Sequence, residues 1–366
     1  MAIDISRFLT SKYDIYEKSC MNHGNKEVNC HACTTTCPTE SISFQLGTPV
    51  INNSKCIDCG ACVSACPTLA IDHKITDYIS VMNKINSNHQ QPITCESYSK
   101  FSKGIKIPCY FMLDTPLLLT ISQYQKDITF HIDDCKSCLK QLKINGSAII
   151  NHFADLQSQL DEMGVHVTIK TSQTPPVVSV YSDEKGISRR DFFKSIMNFR
   201  NTNESSPTES NDLPVKKRML FKKNLINKAL MKHNNTLSSS PLQSPYYFSI
   251  TLTGSCTGCS LCTKLCPTDA LHWLDKDDVS SLHFQNKDCV GCNKCVACPE
   301  EVIELTLMSP RAYVMGGDKT LVDLEKKKCK HCHDSFQTND EKQSLCHICR
   351  VSRQKSSVDL FEGLEF

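Results

Sequence analysis

The residues of this chain that could do chemistry are its cysteines. The 366-residue sequence contains 24 of them, and in chain order they divide into six groups of four. Four cysteine thiolates are the ligand set of a tetrahedral metal ion or of an iron–sulfur cluster. The groups are Cys20, Cys30, Cys33 and Cys37; Cys56, Cys59, Cys62 and Cys66; Cys95, Cys109, Cys135 and Cys138; Cys256, Cys259, Cys262 and Cys266; Cys289, Cys292, Cys295 and Cys298; and Cys329, Cys332, Cys346 and Cys349. The division indicates six candidate sites.

Four of these groups form an internal repeat, because each ends in Cys-Pro with an apolar residue four positions after the proline. Two units, Cys56 to Pro67 and Cys256 to Pro267, read C-x2-C-x2-C-x3-C-P without a deviation. That spacing is the bacterial ferredoxin run. The chain therefore resembles a pair of bacterial-type 2[4Fe-4S] ferredoxin domains, over residues 15–75 and 248–308, joined by other modules.

The resemblance implies how the cysteines divide between clusters. In two-cluster ferredoxins, the cysteine before the proline ligates the cluster of the other motif. In the first domain, one cluster would be held by Cys56, Cys59, Cys62 and Cys37, and its mate by Cys20, Cys30, Cys33 and Cys66. In the second domain, the sets would be Cys256, Cys259, Cys262 and Cys298, and Cys289, Cys292, Cys295 and Cys266.

Two of the four motifs depart from the family spacing. Nine residues separate Cys20 from Cys30, where the family has two, so Cys20 is either a ligand beyond a looped-out insertion or a free thiol. Cys295 and Cys298 are separated by two residues in place of three, which would alter the angle at which Cys298 reaches its cluster. We expect a cluster at both motifs.

The last four cysteines have the spacing of a zinc site. Cys329-x2-Cys332 is followed after thirteen residues by Cys346-x2-Cys349, which resembles a zinc ribbon over residues 325–352. A lone iron in a rubredoxin-like site is the alternative. A site closed by four thiolates has no open position for a substrate, so we expect a structural or partner-docking role.

The third group of cysteines is open to several interpretations. Cys95, Cys109, Cys135 and Cys138 are widely spaced, and they could hold a [2Fe-2S] cluster or a zinc ion. Cys135-Lys136-Ser137-Cys138 could instead be a redox-active dithiol. The remaining alternative is that these are ordinary buried cysteines.

Two kinds of element must position these cysteines, and together they predict an α+β fold. Short antiparallel strands should flank the ferredoxin motifs, at Ser41–Phe44, Pro49–Asn52, Leu271–Leu274, Ser281–Gln285 and Val302–Leu307.

Residues 90–172 predict a small α/β domain with a parallel sheet. Its apolar runs at Pro92–Cys95, Ile105–Leu113, Asp127–Ile132 and Val165–Ile169 indicate strands, and Pro116–Tyr124 and Ile149–Met163 indicate helices. Ligands collect beyond the carboxyl ends of such strands, where three segments would bring the third group of cysteines together.

Residues 173–247 are interpreted as a linker that contains a basic helix. Its ends are rich in Asn, Ser, Thr and Pro, and its centre, Lys216 to Lys232, carries seven lysines and arginines. Such a stretch is most often a solvated helix. An acidic partner surface and nucleic acid are the alternative ligands.

Charge and composition exclude several classes of protein. The first ten residues contain no apolar secretory segment, and the sequence contains no run of about 18 apolar residues. Abundant cysteine in a chain without a secretory signal favours metal binding in the cytoplasm over disulfides. The formal net charge of +2 treats the thiols as neutral. Loaded four-thiolate sites would each carry about −2, which makes the holoprotein acidic and disfavours nucleic acid as a partner.

These features predict an iron–sulfur electron-transfer protein, the ferredoxin-like subunit of a larger cytoplasmic oxidoreductase. The sequence contains neither a dinucleotide-binding G-x-G-x-x-G nor a phosphate-binding loop, so an electron donor and a catalytic subunit should be separate redox partner proteins. Two alternatives remain. One is a redox- or oxygen-sensing regulatory protein, and the other is a reductase whose site lies in the middle α/β domain.

Overall fold

The computed structural model describes residues 11–24, 29–89, 91–96, 104–132, 135–141, 144–145, 147–173 and 213–356. The first ten residues and most of the predicted linker, 174–212, lie outside the described residues. All 24 cysteines lie within them, and none is joined in a disulfide.

The first ferredoxin-like unit consists of two antiparallel strand pairs and two short helices. Its elements are strand β1 (Tyr13–Ile15), helix α1 (Ala32–Thr35), strands β2 (Ile42–Gln45) and β3 (Thr48–Ile51), helix α2 (Ala61–Ala65) and strand β4 (Ile71–His73). Strand β1 pairs with β4, and β2 pairs with β3 in a hairpin. The hairpin confirms the two strands that the sequence predicts here. Each short helix begins inside a cysteine motif, so the helices and the motif loops form one structure.

The middle unit contains both strands and helices, but they do not strictly alternate, and the predicted strand Ile105–Leu113 ends at Ile107. Its elements are α3 (Tyr78–Ser87), β5 (Ile93–Cys95), β6 (Ile105–Ile107), α4 (Thr115–Ser122), β7 (Asp127–His131), α5 (Cys135–Gln141), α6 (Ala148–Met163) and β8 (Thr168–Ser172). Strand β5 pairs with β6 and β7 with β8, both in parallel, which confirms the predicted strand direction. The strands form two separate pairs instead of one sheet.

Capping residues fix the ends of the middle helices. The Asp114 carboxylate accepts a hydrogen bond from the Leu117 amide at 2.9 Å, and Pro116 occupies the first turn of α4. Gly164 ends α6 with a left-handed backbone. Helices α3 and α5 were not predicted, and α5 is short and carries polar residues and two cysteines, a composition that resembles a loop.

One hydrophobic core joins the first unit to the middle unit. It contains Val63 and Leu69 of the ferredoxin-like unit, together with Ile107, Leu117 and Leu160 of the middle unit, all of them buried. The boundary between these two predicted domains therefore does not divide the core. Rigid packing of this kind keeps the sites of the two units at a fixed separation.

The basic stretch forms two helices, α7 (Val215–Met219) and α8 (Phe221–Lys232). The expectation of a solvated helix is wrong for Arg218, Lys222 and Lys223, whose side chains are buried, with at most 1% of each residue exposed. Each of these cations has a partner inside the protein, which compensates the loss of water. The helices pack between the ferredoxin-like units and belong to the fold.

The second ferredoxin-like unit and the C-terminal module share one sheet. Their elements are β9 (Phe248–Leu252), α9 (Leu261–Leu265), β10 (Leu271–Lys276), β11 (Val279–Gln285), β12 (Ile303–Leu307), α10 (Pro310–Met315), β13 (Asp318–Lys328), β14 (Ser335–Thr338) and α11 (His347–Ser356). Strand β9 pairs with β12, and the order β10-β11-β13-β14 forms a four-stranded antiparallel sheet. The strands predicted in this unit are present. Among the described helices, none has the length and apolar character that crossing a membrane requires.

Candidate metal centres

The backbone repeats the same turn after each Cys-Pro pair. The third residue after the cysteine has a positive φ in all four motifs, at Glu40, Leu69, Asp269 and Glu301. In the C-x2-C-x2-C loops, left-handed residues recur two positions after the first cysteine and one after the second, at Asp58 and Gly60, Gly258 and Ser260, and Gly291 and Asn293. Alternating right- and left-handed residues turn successive backbone N–H groups to one side, which is the concave arrangement that binds anionic iron–sulfur clusters. The sequence repeat is therefore also a structural repeat.

A cavity in the first unit is lined by four cysteines from two motifs. Cys20, Cys30 and Cys33 meet Cys66 around about 310 Å³ of empty space, part of it open to solvent. Burial raises the pKa of the Cys33 thiol to about 12, and the neighbouring charge of Cys66 contributes. These are the four cysteines that the ferredoxin resemblance assigns to one cluster.

A second cavity in the same unit is lined by the complementary set. Cys56, Cys59 and Cys62 meet Cys37 around about 280 Å³ of empty space. Burial raises the pKa of Cys59 to about 12 and that of Cys62 well above the ordinary thiol value. The charge of Cys33 also raises the pKa of Cys62, so the two cavities are neighbours.

The insertion in the first motif is held by one buried side chain. The Asn22 side chain is almost fully buried; its amide nitrogen donates to the Cys30 carbonyl at 2.8 Å, and its oxygen accepts from the Cys30 amide at 2.9 Å. The His23 amide donates to the Cys20 carbonyl at 3.0 Å, which closes a turn that contains Asn22. These bonds bring Cys20 beside Cys30 despite their distance in the sequence.

The second unit brings its cysteines together in the same crossed pattern. Burial is the largest cause of the raised pKa of Cys262, which is about 12. The charges of Cys256, Cys259 and Cys298 also raise it. The pKa of Cys295 is also raised to about 12. Burial is again the largest cause, and the charges of Cys289, Cys292 and Cys266 add to it. The short spacing before Cys298 is accommodated by a 3₁₀ turn, Lys294–Ala297, in place of an α-helix.

Hydrogen bonds to the sulfur atoms show that these sites suit thiolate ligands. The Ser41 amide donates to Cys37 Sγ at 3.3 Å, and the Ala70 amide donates to Cys66 Sγ at 3.1 Å. Buried thiols have raised pKa values, so a cation must displace their protons for the sulfurs to carry charge. Cysteines around a cavity, with amides directed at sulfur, fit an iron–sulfur cluster at both places in the first unit.

The C-terminal cysteines form a smaller and tighter group. The Sγ atoms of Cys329, Cys332, Cys346 and Cys349 all lie within 4.8 Å of one another, and those of Cys332 and Cys346 are 3.8 Å apart. A tetrahedral ion with metal–sulfur bonds of about 2.3 Å places its sulfurs about 3.8 Å apart. This geometry fits a single ion between the sulfurs.

Backbone hydrogen bonds prepare one of these thiols for a metal. The amides of His331 and Cys346 donate to Cys329 Sγ at 3.4 and 3.3 Å. Burial opposes the charge on this sulfur, but the hydrogen bonds outweigh it and lower the pKa of Cys329 to about 6. His331 Nδ1 lies 3.5 Å from Cys349 Sγ and is a neighbour of the ligand group.

The structure contains contacts that sequence reasoning missed. Lys294 donates to the His23 carbonyl at 2.6 Å and joins the motif loops of the two ferredoxin-like units. Lys222 donates to the carbonyls of Val63 and Ser64, at the end of the helix that carries Cys62. The only sequence signal for either contact is a lysine, a residue that is solvated in most proteins.

Comparisons with known protein families agree with two of these regions. Residues 49–72 match the 4Fe-4S binding domain family, and residues 255–302 match the 4Fe-4S dicluster domain family. Comparisons with curated proteins and with solved structures found no match. The first motif, Cys20 to Cys37, lies outside the matched residues, and its assignment rests on the cavities that it shares with the second motif. The chain thus contains two ferredoxin-type 4Fe-4S domains.

Proposed function

We propose that this chain is an iron–sulfur electron-transfer protein and the ferredoxin-like subunit of a larger cytoplasmic oxidoreductase. The ferredoxin-type domains support an iron–sulfur electron-transfer role. The crossed lining of the two cavities in the first unit carries the proposal, since each combines three cysteines of one motif with the Cys-Pro cysteine of the other. Four [4Fe-4S] clusters, held by the sixteen cysteines of the four motifs, would supply reversible one-electron chemistry.

The contact between the two domains supports a continuous electron route. Lys294 lies between Cys292 and Cys295 in the second unit, and its hydrogen bond to His23 places this loop against the turn that follows Cys20. Within each unit, the two ligand sets already interact through Cys62 with Cys33 and through Cys295 with Cys262. The four sites therefore form a series in which each has a neighbour.

Ligation by thiolates alone favours electron transfer over substrate chemistry. Each set offers four sulfurs, which fill the ligand positions that the protein must supply to a cubane. The protein then binds, insulates and tunes the clusters. Donor and acceptor would be other proteins, an electron carrier and a catalytic oxidoreductase subunit.

At the C-terminal group we propose zinc with a structural role. Strand β13 pairs with β11 of the second unit, and Gly258 of the Cys256 loop lies against the Gln337 backbone of β14. The module therefore covers one side of a motif loop. A zinc ion with four thiolate ligands would hold the module there.

The burial of three of the seven cations in the basic stretch counts against the sensor alternative. These buried cations, Arg218, Lys222 and Lys223, are not available to nucleic acid. The reductase alternative would place its active site in the middle unit, whose cysteines lie beside the first unit.

Anaerobic metal analysis tests the proposed function. We expect at least about sixteen iron and sixteen sulfide per chain from four cubanes, together with one zinc, and reversible one-electron reduction. Iron and sulfide well below about sixteen of each per chain would contradict it.

Matched variants test the crossed ligand sets. Cys37→Ser and Cys56→Ser should alter the same electron paramagnetic resonance signal, whereas Cys66→Ser and Cys33→Ser should alter a different one. If Cys37→Ser and Cys33→Ser altered the same signal, the crossed assignment would be wrong.

A further inference from the structure

The cysteines of the middle unit lie at the carboxyl ends of its parallel strands. Cys95 is the last residue of β5, and Cys109 follows β6 by two residues. Because β5 and β6 are parallel neighbours, with Cys95 opposite Ile107, both cysteines are at the same edge. Cys135 and Cys138 begin α5, which follows β7, and they are one helical turn apart on one face.

Hydrogen bonds tie these segments together. The Tyr110 hydroxyl, next to Cys109, donates to the His131 carbonyl at 2.9 Å, at the end of β7. The Cys135 amide then donates to the Ile132 carbonyl at 3.1 Å. The pKa of the Cys109 thiol is raised to about 11, first by burial and then by the charges of Cys95 and Cys138. Three separate segments therefore contribute thiols to one place.

This place is in contact with a motif loop of the first unit. Ser64 donates to the Phe111 carbonyl at 2.8 Å, and a Cβ added to Gly60 would lie 2.8 Å from the Cβ of Met112. Burial is the largest cause of the raised pKa of Cys59, and the charge of the nearby Cys109 also raises it. The turn from Cys109 to Met112 thus packs directly on the loop that carries Cys59 and Cys62.

The spacing of the thiols favours a cluster over a single ion. Among all the described residues, only the C-terminal four cysteines bring three or more ligand atoms within 4.8 Å of one another. In the middle group and in the four ferredoxin sets, no three sulfur atoms all lie within 4.8 Å of one another. Iron and sulfide ions separate the thiolates of a cluster, whereas one zinc draws four sulfurs to about 3.8 Å.

We propose that Cys95, Cys109, Cys135 and Cys138 bind a fifth iron–sulfur cluster, which exchanges electrons with the site of Cys37, Cys56, Cys59 and Cys62. This proposal rests on the proposed function, because it requires a cluster at the neighbouring site. In the exchange, one electron leaves the reduced centre and reduces the other, and no bond is formed or broken. The electron itself comes from the one-electron carrier protein that the proposed function requires.

The position of this site makes it an end of the series. Its neighbour is the Cys59 site, followed by the site of Cys20 and then by the second unit across the Lys294 contact. At the opposite end, the C-terminal module contacts the loop that carries Cys256, at Gly258. We therefore place the exchange of electrons with one of the two partner proteins at the middle unit.

The double variant Cys109→Ser/Cys138→Ser of the full chain tests the fifth cluster, with Ser137→Ala on the exposed side of the same turn as the matched control. We expect the double variant to lose two to four iron with an equal number of sulfides, and to retain its zinc and about sixteen iron. The control should keep the wild-type content. In the dithionite-reduced protein, the signal of the Cys59 site should also lose its magnetic coupling to a neighbour.

The outcomes separate this proposal from the proposed function. Equal iron and sulfide in wild type and double variant, or loss of zinc instead of iron, would overturn the fifth cluster and leave the four cubanes in place. A wild type with far fewer than sixteen iron would contradict the proposed function first. If the double variant failed to fold, shown by joint loss of zinc and all iron, the single variant Cys135→Ser would give the same comparison.

Discussion

Lys222 and Asp114 form a buried ion pair, with the ammonium nitrogen 2.8 Å from a carboxylate oxygen. The lysine is on α8 and the aspartate caps α4 of the middle unit. Lys222 also donates to the carbonyls of Val63 and Ser64 in the first unit. One side chain therefore holds three parts of the chain together, in the region that carries Cys62 and Cys66.

Removal of this lysine should destabilise the protein. Lys222→Met leaves the Asp114 carboxylate and two carbonyls without their cation, and breaking a buried pair in this way costs about 3–5 kcal/mol. Chemical unfolding of the anaerobic holoprotein, followed by circular dichroism, measures the loss. Lys216→Met is the matched control, because Lys216 pairs with Asp269 at 2.9 Å in an exposed position. It should cost less than about 1 kcal/mol.

A second substitution shows whether the unpaired charge is the cause. Asp114→Asn preserves the cap of α4 and removes the charge, so the double variant with Lys222→Met should be more stable than Lys222→Met alone. Equal stability of the single and double variants would show that packing, and not charge, dominates at Lys222.

The grouping of three cysteines within each motif could be predicted from the sequence because it is local, whereas the fourth cysteine of each cavity in the first unit comes from another motif. A C-x2-C-x2-C loop brings its own three cysteines together, and the structure repeats the same turns at Gly60 and Ser260. The partners of Lys222 and Lys223 are distant in the sequence, and no local pattern distinguishes a buried lysine from a solvated one. The middle strands were predictable from apolar runs, whereas the shared core depends on contacts between separate units.

Lys223 should raise the reduction potential of the cluster site in the second unit. Its side chain is buried, contacts the Tyr313 ring at 4.7 Å, and interacts with the charge of Cys289. Burial lowers the pKa of Lys223 to about 8, so most of it remains protonated at pH 7. A positive charge near a cluster stabilises the reduced, more negative state.

Lys223→Met should therefore lower the potential of that one site. Two unit charges about 10 Å apart at an effective dielectric constant of about 20 interact by about 1–2 kcal/mol, or on the order of 50 mV for one electron. A redox titration followed by electron paramagnetic resonance measures the shift. Lys232→Met is the control on the same helix, since Lys232 faces the Tyr124 ring of the middle unit. A shift of equal size in both variants would contradict a local effect of Lys223.

Asn22 should be required for the cluster site that contains Cys20. Asn22→Ala leaves the half-buried Cys30 amide and carbonyl without this partner, at a cost of up to about 1–3 kcal/mol for each group. We expect about four iron per chain to be lost while the other sites are retained, as measured by iron analysis. Asn29→Ala is the control, because only the backbone amide of Asn29 bonds to Asn22. Full iron content in Asn22→Ala would show that the insertion holds its shape without this side chain.

Gly258 should be required for docking of the C-terminal module on the Cys256 loop. Its φ is +71°, and an added Cβ would lie 2.3 Å from the Gln337 carbonyl oxygen. Gly258→Ala should cost more than about 1 kcal/mol, through backbone strain and displacement of β14. Faster proteolysis of residues 318–356 in the holoprotein would reveal the displacement. Gly317→Ala, where nothing lies within 4 Å of an added Cβ, is the control and should leave the rate unchanged.

The C-terminal group should hold one metal ion that can be removed separately from the clusters. Cys332→Ser replaces a sulfur 3.8 Å from Cys346 Sγ with a weaker ligand, so the variant should contain about one zinc less per chain and unchanged iron. Mass spectrometry of the metals measures both, and Ser335→Ala, at an exposed position of β14, is the control. Because the ion holds this module together, the variant should also unfold here at a lower temperature. Loss of one iron in place of zinc, with loss of visible absorption, would identify a rubredoxin-like site and contradict zinc.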